Sequence, residues 1–98
     1  MKIYIIGEKR TEEEYEKMER ALAEEGNEVL NIARVLKQMP ELTHGEREKI
    51  AHAMIGIADA VFVGTSWKES IEAKDEVLYA ISQNINVVFE EKDELPFM

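Results

Sequence analysis

Apolar positions along this chain fall into short continuous runs separated by longer stretches with helical spacing. Ile3 to Ile6 is nearly all apolar and ends at Gly7. A run of that kind, rich in β-branched and aromatic residues, predicts a strand buried on both faces. After it comes TEEEYEKMERALAEEG. Thr11 with Glu14 forms a capping box, and Tyr15, Met18 and Leu22 recur at helical spacing with Ala21 beside them. Gly26 is placed to end that helix.

The alternation continues. Val29 to Ile32 predicts a second strand, and ARVLKQM a short helix stopped by Pro40. Thr43 and Glu46 make a second capping box. The helix behind it carries Ile50, Met54 and Ile57 as its apolar stripe, with Ala53 flanking. Ala60 to Val63 predicts a third buried strand. Ala73, Val77, Ala80 and Ile81 mark a helix that runs to about Gln83, and Val87 to Phe89 predicts a fourth strand.

This β-α-β-α(α)-β-α-β order implies a parallel sheet with helices on both faces. Right-handed crossovers leave few topologies. The expected fold is an α/β three-layer sandwich of flavodoxin-like or Rossmann-like type, with a four-stranded parallel sheet in the order 2-1-3-4 over one domain, residues 1–98. Ligands of such sheets bind beyond the carboxyl ends of the strands, at the switch point between strands 1 and 3. That selects two loops, Gly7 to Thr11 and Gly64 to Ser70.

Composition narrows the chemistry. The 98 residues hold 12 Lys+Arg against 21 Asp+Glu, for a net charge of −9. A chain of this sign is repelled by nucleic-acid backbones and anionic membranes. No cysteine is present, so disulfides, thiolate metal sites and cysteine nucleophiles drop out together. His44 and His52 are the two imidazoles, eight residues apart and too far to share a metal on one helix. No metal and no cofactor is expected. The apolar run in MKIYIIGEKR is too short for a secretion signal, and nothing approaches a membrane span, so a soluble, cytoplasmic chain is expected.

In the first loop, Gly7 permits a tight exit from the strand, and Arg10 and Thr11 precede a helix whose free N–H groups can hold an anion. Arg10 can equally be a surface cation and Thr11 a cap. No Gly-x-Gly-x-x-Gly or Walker loop occurs. In the second loop Ser66 and Ser70 can cap helices, and Trp67 can stack on a ligand ring or cover the core. Asp59, in IADAVF, is either a turn residue or a ligand contact. Glu76 stands in the early turns of the last helix at the edge of its buried stripe. An ionised carboxylate there can attack an anomeric carbon; the alternative is one more solvated acid.

MKIYIIG, LAEEGNEVLN, IADAVFV and W-x-x-S-x-x-A-x-x-E-x-x-x-A, in this order and spacing, resemble the nucleoside 2-deoxyribosyltransferase-like superfamily, most of all its short, phage-associated members of unknown function. The resemblance spans Met1 to about Glu90. It implies N-glycosidic bond cleavage or transfer, with Glu76 as nucleophile on C1′ of a deoxynucleoside or its monophosphate. It implies that Ser70 contacts a 5′-phosphate, as in the related monophosphate N-hydrolases, and that Gly7 and Arg10 match their loop after the first strand. Tyr4, Trp67 and Asp59 complete the expected substrate contacts.

Two residues depart from the family pattern. Glu8 replaces a serine and Glu72 replaces a glycine, both where a phosphate would approach. At ~4 Å and intermediate dielectric each repulsion costs a few kcal/mol. A silent nucleotide-binding protein is therefore the alternative to an enzyme. A protein-interaction module is another, with Leu95, Phe97 and Met98 of the tail as its apolar contact. A homodimer or larger homo-oligomer is expected, through the Ile50, Met54, Ile57 helix.

Overall fold

The structure, a computed structural model, describes residues 1–6, 12–64 and 67–90. The strands are β1 (Lys2–Ile6), β2 (Glu28–Leu30), β3 (Ala60–Val63) and β4 (Asn86–Phe89). The helices are α1 (Glu12–Glu24), α2 (Ile32–Gln38), α3 (His44–Ile57) and α4 (Ile71–Ser82), with a 3-10 turn at Trp67–Glu69. All strand pairs are parallel and the sheet order is β2-β1-β3-β4, as the alternation predicts.

The path of the chain sets the layers. A right-handed crossover from β1 out to β2 puts α1 on one face. The chain then reverses direction to reach β3 and β4, which puts α3 and α4 on the other. The α3/α4 face holds the main core. Tyr4, Ile6, Val61 and Val63 point into it and meet Ala51 and Ile55 of α3 and Ala73, Val77 and Ala80 of α4. Three of the five helix residues are alanines, which lets both helices settle close to the strands. The opposite face of β1 carries Ile3 and Ile5, also buried, so β1 is covered on both sides. Among the described residues no helix is long and apolar enough to cross a membrane.

Local chemistry accounts for the element ends. The capping box of α3 is formed: Thr43 Oγ1 accepts from the Glu46 backbone N–H at 3.1 Å, and Glu46 Oε1 accepts from the Thr43 N–H at 2.8 Å. Gly26 follows α1 at φ +92°, a left-handed conformation that suits glycine. The capping box at Thr11 and the tail at Leu95, Phe97 and Met98 lie outside the described residues.

Three expectations need correction. The second strand ends at Leu30 and not Ile32. Asn31 leaves the ladder to cap α2, its Oδ1 accepting from the Ala33 N–H at 3.0 Å, and Ile32 opens that helix. A free helix N–H satisfied by a buried side chain outweighs one more rung of an edge strand. The α3 stripe is also turned by one position. Ala51 and Ile55 are buried, whereas Ile57 is 60% exposed and Ala53 faces solvent. Bulk marked the wrong face, because the contact with the sheet runs through a small residue. Ile81 is likewise exposed, one residue and about 100° past the buried Ala80.

Candidate functional site

Because the strands are parallel, their carboxyl ends share one edge of the sheet, and the helices that follow them begin there. An open cleft of about 220 Å³ lies at that edge. Its walls come from the opening turns of these helices, including Tyr15 of α1, Ile32 of α2, Arg47 of α3 and Glu72 and Glu76 of α4. The cleft lies at the expected edge of the sheet, but its described lining comes from the helices: the described residues of the Gly64 to Ser70 loop contribute none of it, and Gly7 to Thr11 lie outside the described residues.

Glu76 is held from below. Tyr4 is completely buried in the middle of β1, and its phenol needs an acceptor that the apolar core does not offer. Its Oη donates to Glu76 Oε1 at 2.9 Å. The two residues are 72 positions apart, and only the β1–α4 packing brings them together. A hydrogen bond to a carboxylate is among the stronger kinds, and here it fixes one carboxylate oxygen over the sheet.

Glu72, one turn earlier, lines the same cleft. Its Oε2 lies 2.9 Å from His44 Nδ1, so it leans towards α3. A second histidine–carboxylate pair sits further along the helices: His52 Nε2 is 3.1 Å from Asp75 Oδ2. The His52 ring also stacks flat on Tyr79, with centroids 3.9 Å apart and planes within 1°. The cleft wall thus carries four carboxylates, Glu48, Glu72, Asp75 and Glu76. Against them, Arg47 is the permanent cation among the described lining residues.

Of the expected substrate contacts, Tyr4 is completely buried and does not line the cleft, so it reaches the site only through its hydrogen bond to Glu76, and three others lie elsewhere. Ser70 is the N-cap of α4, its Oγ accepting from the Ala73 N–H at 3.2 Å, and it does not line the cleft. Trp67 packs against the core with its ring 5.5 Å from Phe89, so it covers apolar side chains. Asp59 sits at the amino edge of the sheet, where its Oδ2 accepts from the Lys2 backbone N–H at 2.7 Å. It is a turn residue at the far end from the cleft. Gly7 and Arg10, with Glu8, lie outside the described residues.

Sequence reasoning gave no role to His44, His52, Arg47 or Asp75. The signal for them was periodicity in polar positions. His44, Glu48 and His52 recur every four residues on α3, and Glu72, Asp75, Glu76 and Tyr79 form a matching stripe on α4. Both stripes face each other across the helix pair.

No curated protein and no solved structure matches the chain. Residues 1–89 match the model of a domain of unknown function, DUF4406, and the chain belongs to that family.

Proposed function

We propose that the cleft binds a deoxynucleoside or its monophosphate and that Glu76 cleaves or transfers its N-glycosidic bond. The observation that carries this reading is the Tyr4–Glu76 hydrogen bond at the carboxyl edge of the sheet. A nucleophilic carboxylate must be held at an attack angle, and a fully buried phenol does that without occupying the cleft. The resemblance in sequence supports the same assignment.

In the reaction, a carboxylate oxygen of Glu76 bonds to C1′ while the C1′–N bond breaks, and the base leaves with the electron pair. Water, or a ring nitrogen of a second base, then attacks C1′ and frees Glu76 as a carboxylate, and the proton that the attacking group loses neutralises the departed base anion. The cleft of about 220 Å³ is below the ~300 Å³ of a typical small-molecule pocket, so it takes the sugar and leaves the base towards the opening. Arg47, on the first turn of α3, is the cation for a 5′-phosphate. It takes in that role the place of Ser70, which caps α4 and does not line the cleft.

One observation favours a second reading, a binder without turnover. Four carboxylates in the wall oppose a phosphate, and Glu72 is neutralised only when His44 is protonated. Incubating the protein with a panel of deoxynucleosides and their monophosphates separates the two. The enzyme reading predicts released base from at least one of them, lost in Glu76→Ala. Thermal stabilisation by a nucleotide with no base released supports the binder, and a panel with neither effect defeats both.

The ligand on either reading is a free small nucleoside or nucleotide of the cytoplasm, with neither nucleic acid nor membrane as partner. The protein acts as a homodimer. Its contact is placed on α4, where Ile71, Leu78 and Ile81 are 83%, 65% and 55% exposed, in preference to the expected Ile50, Met54 and Ile57 stripe, of which Ile57 alone is as open.

A further inference from the structure

Glu48, His52 and Asp75 each offer a ligand atom within 4.8 Å of the other two. We propose that they form a site for a divalent transition metal, zinc or one of its neighbours, between α3 and α4. The proposal stands apart from the glycosidic reading and needs no turnover.

The geometry is specific. Glu48 and His52 lie one turn apart on α3, so both side chains leave the same side of the helix. Asp75 comes from the facing helix. Zinc binds nitrogen and oxygen at about 2.0–2.2 Å, so ligand atoms in a tetrahedral shell stand roughly 3.3–3.5 Å apart. His52 Nε2 and Asp75 Oδ2, at 3.1 Å, are already near that spacing. Glu48 is exposed, and its carboxylate, within 4.8 Å of the other two ligand atoms, has room to move inward to that spacing. The flat stack on Tyr79 fixes the imidazole plane, in which a metal bound to Nε2 must lie.

The donor set selects the ion. One imidazole and two carboxylates suit zinc, cobalt or manganese. Magnesium and calcium prefer oxygen alone. Three protein ligands leave a fourth position open to water or to an oxygen of a bound molecule. That position adjoins the cleft, since Glu48 and Asp75 are part of its wall. His44 and Glu72 form their own pair and are not needed. The competing explanation of the cluster is a plain His52–Asp75 ion pair in which Glu48 has no part.

Isothermal titration of the chelator-treated full chain with zinc, and visible absorption on addition of cobalt, test the proposal. Wild type should saturate at one equivalent per chain, with magnesium binding much more weakly. Glu48→Gln and Asp75→Asn both change exposed or half-exposed side chains at constant volume. Each should weaken zinc by at least about tenfold, while Glu13→Gln on α1 should not. The cobalt spectrum should change in His52→Gln as nitrogen ligation is lost. Lack of saturable zinc binding in wild type overturns the site. So does zinc affinity that Glu48→Gln leaves unchanged, which returns the cluster to an ion pair.

Discussion

Replacing Tyr4 by Phe removes one oxygen from the centre of the core and leaves the ring in place. Tyr4 is 0% exposed, and its hydroxyl donates to Glu76 at 2.9 Å. A hydrogen bond to a charged group contributes about 1.5–3 kcal/mol. Glu76 is only half-buried, so water recovers part of that when the phenol is gone. The expected loss is therefore about 1–2 kcal/mol, or roughly 5–10 °C in Tm for a domain of this length. Glu76→Ala should cost about as much by a different route, because it leaves a buried hydroxyl without this acceptor. Glu76→Gln keeps an amide oxygen facing the phenol and should cost less than either. The double variant Tyr4→Phe, Glu76→Ala should cost little more than one single change, a coupling of about 1–2 kcal/mol. Urea unfolding of the four proteins measures it. Additive losses, within about 0.5 kcal/mol, would refute the claim that the phenol holds the carboxylate.

Other consequences follow from the same packing. Ile55→Ala empties a fully buried position under α3 and should destabilise by about 2–4 kcal/mol in urea titration. Asn31→Ala removes the cap of α2 and should lower stability by about 1–2 kcal/mol, seen as a shift in the unfolding midpoint. His44→Ala breaks a largely exposed pair and should change stability by less than about 1 kcal/mol, with the effect shrinking further in high salt. If α4 is the dimer contact, Leu78→Ser with Ile81→Ser should give a monomer by light scattering, while Ile50→Ser should not.

The sheet order could be read from the sequence because each central strand is a near-continuous apolar run and each crossover has one favoured hand. Element ends marked by capping chemistry were legible for the same reason, as Thr43 and Glu46 show. The misreadings have a common cause. Ile50 and Ile57 looked like core because they are large, yet the helix meets the sheet through Ala51, and alanine carries little hydrophobic signal. Asn31 interrupts an apolar stretch too briefly to stand out, although its side chain decides where β2 stops. At the site, Glu76 was visible from its helical position beside Ala73. Tyr4 was expected to touch substrate, whereas it is fully buried and holds Glu76 instead, because its phenol finds its partner 72 residues away. His44 and His52 were set aside because one pair of histidines cannot share a metal at that spacing. What the sequence hid is the facing helix, which gives each of them a carboxylate of its own.

The assignment of Glu76 is tested most directly by trapping its ester. The protein is mixed with the deoxynucleoside that releases most base, quenched in acid, digested and measured by mass spectrometry. A deoxyribosyl adduct should appear on the peptide containing Glu76, and base release should fall by more than about a thousandfold in Glu76→Ala. Base release that persists at the wild-type rate in Glu76→Ala, or an adduct carried by another residue, would contradict it.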